Sequence, residues 1–332
     1  MKKFTLGKNI VFWQEGVWMI SVNNQELFEQ YYQKEYDFNT NSLSEDEVDS
    51  IKALVKEKRV AYALAPIGEK IFGWITEQDT SIHFEAVDFE SDKIDGLLYI
   101  PQSGCDKAYI VLNSKKTLIN QIFTAAHEYY HYVKDYSDIK KEPYICNLSA
   151  LSSINEKRAS RFAAEFLLPE EALRAEIKFL RKRMPGKKNR EMIFEDYAVL
   201  SIFLTLKYQL PLKAVIYRLY EEHYIDKIDE YIQNYQFIKG ALQEVKVFQE
   251  QVQHLYTCKN PYIENNSLLY RQMKLVYDNG YASRDEIIKD AEILGLDKTL
   301  VEGFFDDISE EDVEEDDIEL TQYISELWRT DV

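Results

Sequence analysis

The 332-residue sequence predicts an α+β protein that is mostly helical. A small mixed sheet should pack on a helical core, followed by a helical C-terminal region. Three observations carry this expectation. Between residues 60 and 113 the chain is rich in β-branched and aromatic residues, in short runs such as SIHFEAV, GLLYI and AYIVLN. After Asn113, apolar residues recur at helical spacing almost to the end. Within the first of those helical stretches, TAAHEYYHYV (124–133) sets two histidines four apart, with a glutamate directly after the first.

Residues 1–59 read as an N-terminal extension with a mixed opening and two helices, NNQELFEQYYQK and SEDEVDSIKALVKEKR. Ser44, with Glu47 three residues on, forms a capping-box pattern at the start of the second. The strand region begins with KIFGWIT (70–76), read as a strand like the three runs after it. Helices are expected at about 117–135, 155–168, 170–183, 193–208 and 212–222, closing a main domain over 60–225. From Ile228 to Leu255, apolar residues step by three and four in one stripe. That stripe predicts a long helical segment over 226–257, laid on the core and broken near Gly240, with a coiled-coil dimer seam as the alternative. CKNPYIENNS (258–267) reads as a linker, because Pro and Asn cluster there. A small helical module over 265–332 ends in the acidic run DDISEEDVEEDDIE, expected to be a solvated tail.

Composition narrows the function. With 45% hydrophobic residues the chain can bury a sizeable core, and a net charge of −18 argues against direct DNA binding. The helix-turn-helix-like stretch LSIFLTLKYQLPLKAVIYRLYEEHYI (200–225) offers only Lys213 and Arg218 in its second helix, so it reads as a packing unit. Three cysteines, far apart, suit a reducing compartment. No signal-like apolar region opens the chain, and no apolar run approaches the ~20 residues of a membrane span. The expectation is a cytoplasmic protein with no membrane partner, and a monomer.

On a helix, His127 and His131 lie about 40° apart on one face, one turn from each other. Two imidazoles so placed can share one tetrahedral ion. Glu128 sits about 100° around from His127, near such an ion without binding it, where it can take a proton from an attacking water. Chance would produce this pattern in about one such chain in a hundred, so its surroundings matter. They fit a helix: Ile119, Phe123, Ala126, Tyr130 and Val133 form an apolar stripe beside the histidines. The strand-like AYIVLN before it is the expected substrate-binding edge.

A hydrolytic site needs a third protein ligand and an open position. HExxHxxGxxH is absent, since Lys134 and Ser137 stand where its glycine and third histidine would be. The remaining donors are Glu156 and Glu165 in NEKRASRFAAEFLLP (155–169). Glu156 shares a face with the small residues Ala159, Ser160 and Ala163, which let two helices approach closely. Glu165 lies about half a turn away and should meet solvent or an arginine. Glu156 is the expected third ligand. His83, His223 and His254 read as ordinary surface or core residues.

Together, HEYYH and the segment Glu156-Lys157-Arg158-Ala159 followed by Phe162-Ala163-Ala164-Glu165-Phe166-Leu167-Leu168-Pro169 resemble the ImmA/IrrE family of zinc metallopeptidases. The resemblance covers roughly residues 60–225. It implies a zincin-like, gluzincin-type core, with His127, His131 and Glu156 binding Zn2+ and Glu128 as the catalytic glutamate. It also implies an intracellular endopeptidase acting on a protein substrate, since family members commonly cleave a helix-turn-helix repressor of a mobile element or stress regulon. Two positions depart from the family pattern: Tyr130 replaces a small residue, and Ser160 stands where Asn or Asp is common. The alternative reading is a non-catalytic, metal-containing regulatory protein acting through its helical C-terminal region.

Overall fold

The computed structural model describes residues 2–6, 9–14, 17–21, 40, 43–89, 94–100, 107–141, 153–183, 192–266, 268–293, 301, 302 and 305. An antiparallel meander opens the chain: β1 (Lys2–Leu6), β2 (Asn9–Gln14) and β3 (Val17–Ser21). The helix expected over 23–34 and the acidic run at 306–319 lie outside the described residues. Helix α1 (Glu45–Lys58) starts as expected, with Ser44 and Glu47 capping each other's backbone.

KIFGWIT is a correction. It forms helix α2 (Ile71–Gln78), not a strand. Ile71, Phe72, Trp74 and Ile75 are all buried, a set that one helical face can present to a core and an alternating strand cannot. Gly68, at φ +47°, turns the chain into it.

The second sheet forms as expected from β4 (Ile82–Val87), β5 (Gly96–Tyr99) and β6 (Ala108–Asn113). Its order is β4-β6-β5, with β4 parallel and β5 antiparallel to β6. Ile82, Phe84 and Ala86 alternate inward with Ile110 and Leu112, so one face is core. AYIVLN is therefore the central strand, not an edge. Helices α12 (Pro261–Asn266) and α13 (Leu268–Asp278) pack by β4, which leaves β5 as the edge beside the histidine helix.

That helix is α3 (Leu118–Lys134), followed by the short α4 (Tyr136–Lys141). It lies against β5 and β6 on one side and α5 (Ser153–Leu167) on the other. Ala159 and Ala163, both fully buried, allow the close approach of α5. The chain continues through α6 (Glu170–Arg183), α7 (Phe194–Tyr208) and α8 (Leu212–Glu221). The last two meet at 116°, turned by Gln209 in the left-handed region at φ 51°. Arg218 of α8 is fully buried, so this pair is a packing unit and that arginine faces no outside partner.

The long segment after residue 226 is broken more than expected. It comprises α9 (Ile228–Gln233), α10 (Tyr235–Gln243), a 3-10 turn and α11 (Gln249–Leu255). The breaks fall at Asn234 and at Glu244–Val245, whereas Gly240 sits inside α10. The Asn234 side chain donates to the Glu230 carbonyl at 2.8 Å, a local bond that competes with continuation of the helix. The stripe faces the core: Tyr231, Ile238, Leu242, Val252 and Leu255 are buried. Ile238→Glu or Leu242→Glu should consequently destabilise the folded chain, since each would bury an unpaired charge. A folded monomer released from a wild-type dimer by these variants, seen in solution mass, would contradict this.

CKNPYIENNS is not a linker. Asn260 is buried and donates to Gln121 of α3 at 2.8 Å, while Leu118 N–H donates to the Thr257 carbonyl at 2.7 Å. Tyr262 stacks on Phe72 at 5.8 Å. The segment thus fastens the start of the histidine helix, and α14 (Arg284–Ile293) follows beyond it.

Candidate metal centre

Every residue from Gln121 to His131 is buried, because α3 is covered by the sheet and by α5. His127 and His131 turn to the same side, with their Nε2 atoms 3.2 Å apart. Glu156, in the first turn of α5, meets them both: its Oε2 is 3.2 Å from His127 Nε2 and its Oε1 3.5 Å from His131 Nε2. A tetrahedral ion with bonds of ~2.0–2.1 Å holds its ligand atoms ~3.3 Å apart, so these spacings fit one ion without rearrangement. Among the described residues these three form the one such cluster. Glu156 is 31% exposed against 1–3% for the histidines, so the site opens on the glutamate side.

Glu165 is no ligand. Half a turn around α5 it is buried against Arg218 at 2.8 Å and Arg161 at 3.2 Å, and it accepts the Glu170 N–H at 2.8 Å. It belongs to an ionic network joining α5, α8 and α1, in which Arg161 and Arg218 also meet Glu221 and Glu222, and Lys52 lies 2.7 Å from Glu170. Burial opposes the charge of Glu222, but Arg218, Arg161 and Lys52 outweigh it and hold its carboxyl at about 2. A depressed value stabilises the fold above the unfolded carboxyl range and is lost as pH falls through the folded one. Acid titration should therefore show stability falling between about pH 4.5 and 2, by on the order of 2–3 kcal/mol from this group. A Glu222→Gln chain should be less stable at neutral pH and less sensitive across that window. Equal slopes in the two proteins would contradict the assignment.

The histidines are oriented unequally. Asp135, one turn beyond His131, lies with its Oδ2 2.7 Å from His131 Nδ1. A carboxylate only accepts there, so Nδ1 carries the proton and Nε2 turns its lone pair to the cluster. Ser160 stands at 3.5 Å from His127 Nδ1, a longer and weaker hold. Tyr130, the other departure from the family pattern, finds room by packing on Phe162 at 5.4 Å between ring centres. Asp135 could have been found in the sequence by its i+4 spacing from His131.

Glu128 is buried beside the cluster. It accepts the backbone N–H of Leu98 in β5, while its Oε2 has no hydrogen-bond partner. Burial, with Glu156 and Asp95 nearby, raises its carboxyl to about 7, against the lowering pull of His131 and the Leu98 N–H. A divalent cation between the imidazoles opposes this rise, because it favours the charged form. Leu98 leaves no signature in the sequence, since it acts through its backbone. His254 pairs with Glu69 at 2.9 Å, His83 lies against Tyr109, and neither these nor His223 joins the cluster.

Two histidines one turn apart, a glutamate from a second helix and a free-ended carboxylate beside them make up the arrangement of an HExxH metal site. The comparison with known families agrees. Residues 77–220 match the model of the peptidase M78 family, described as the IrrE N-terminal-like domain. The matched span runs from the end of α2 to the end of α8, so α1 and everything after α8 lie outside it. No curated protein and no solved structure gives a significant match.

Proposed function

We propose that the chain is a cytoplasmic zinc-dependent endopeptidase that cleaves a specific regulatory protein, such as a helix-turn-helix repressor of a mobile element or stress response. The observation that carries this reading is the near-equilateral triangle of His127, His131 and Glu156 with an intact Glu128 beside it. A zinc ion in that triangle would polarise the scissile carbonyl and acidify the attacking water. Glu128 takes the proton from that water and returns it to the departing amine. Asp135 holds His131 in the donor tautomer. The outer edge of β5, apart from the Leu98 N–H that Glu128 holds, offers its backbone to an extended substrate by strand addition. No single helix among the described residues is long and apolar enough to cross a membrane, and the bent pair α7 and α8, which passes by length and composition, is largely core.

A non-catalytic metal protein has no use for Glu128. Its Oε2 lies buried without a partner, at a desolvation cost that a purely structural site would not retain. Metal analysis tests the reading. The wild-type protein should hold about one zinc per chain, and Glu156→Ala should lose it. Glu165→Ala should keep its metal while losing stability. Zinc retained in Glu156→Ala and lost in Glu165→Ala would refute the ligand set.

A further inference from the structure

Strand β5 approaches α3 at Gly96. A methyl group added there would stand 2.6 Å from the Thr124 Cγ2 methyl, 2.7 Å from the Val111 carbonyl oxygen and 3.4 Å from Leu112 Cδ2. The first two distances lie far inside van der Waals contact. Neither neighbour yields readily. Thr124 is buried in α3, its hydroxyl bonded to the Asn120 carbonyl at 2.8 Å, one turn before the histidine-bearing stretch. Val111 belongs to the backbone of the central strand. The edge strand is the element that would move.

Leu98 is two residues beyond Gly96, on the same face of the strand, and it is the Leu98 N–H that Glu128 accepts. We infer that Gly96 is a positioning residue. Its missing side chain sets the spacing of β5 from α3, and that spacing keeps the Leu98 N–H on Glu128 and the strand edge beside the metal ligands. The consequence for turnover rests on the peptidase reading, whereas the geometric part does not.

Amide hydrogen exchange followed by NMR tests the geometry directly. In the wild-type protein the Leu98 amide should be protected. In Gly96→Ala, and in Glu128→Ala, it should exchange at least about tenfold faster while the core amides of α3 stay protected. Thr124→Ser, which removes the facing methyl and keeps the hydroxyl, should behave as wild type alone and restore part of the protection when combined with Gly96→Ala. If Gly96→Ala by itself does not fold, the double variant carries the measurement. In a cleavage assay, Gly96→Ala should keep its zinc and lose about 10²-fold in kcat with little change in KM, as expected for a displacement on the order of 1 Å. A Leu98 amide as protected in Gly96→Ala as in wild type overturns the positioning role, whatever the activity. A wild-type protein that cleaves nothing overturns the peptidase reading alone and leaves the exchange result standing.

Discussion

Glu128→Gln should hold its zinc, keep its fold and lose cleavage by about 10²–10⁴-fold. Glutamine matches glutamate in size and helix propensity, and its amide oxygen can still accept the Leu98 N–H that Glu128 accepts now. Ligation should be untouched, because the atoms placed to hold an ion belong to His127, His131 and Glu156. What disappears is the ability to accept a proton. The buried carboxyl is replaced by a neutral group, so the variant should be as stable as the wild type or slightly more so. His127→Ala gives the contrasting signature, with metal and cleavage lost together. The assay is cleavage of a candidate repressor by purified proteins, with zinc measured on the same samples. Wild-type rates from the Glu128→Gln protein would sink the mechanism.

The second large effect is on stability. Arg218→Met should destabilise the fold by roughly 3–5 kcal/mol, the cost of breaking a buried ionic network at one member. Arg218 is fully buried and answers Glu165, Glu221 and Glu222 within 2.8–3.3 Å. Burial disfavours its charge, but the three carboxylates reverse that and hold it ionised. Removing the guanidinium leaves those carboxylates in low dielectric with fewer cations. Denaturant unfolding measures the loss directly. Because Glu165 and Arg161 anchor α5, a metal affinity that falls along with stability would show that the network also steadies Glu156. A destabilisation under about 1 kcal/mol, typical of an exposed ion pair, would show that the network is not buried in solution.

Much of the centre was legible in residue order, for a local reason. Spacing along one helix is fixed by its 3.6-residue period, so His127, Glu128 and His131 had to stand as they do once α3 formed. The small residues after Glu156 and the half-turn offset of Glu165 were equally local, and both told correctly which glutamate meets the histidines. The capping box of α1 and the β-branched and aromatic run that became β4 belong to the same kind of signal.

The misreadings share the opposite property. KIFGWIT is short and apolar in all but its end residues Lys70 and Thr76, so its period could not be read until its buried partners were known. The order β4-β6-β5, which makes AYIVLN central and β5 the edge, follows from pairings between distant residues that no local pattern encodes. The break of the long stripe at Asn234 rather than Gly240 and the docking of Asn260 on Gln121 are likewise settled by neighbours in space. So is the contact of most consequence for the chemistry. The Leu98 N–H reaches Glu128 from a strand some thirty residues away by sequence, through a backbone group that every residue but proline carries, and packing alone selects it.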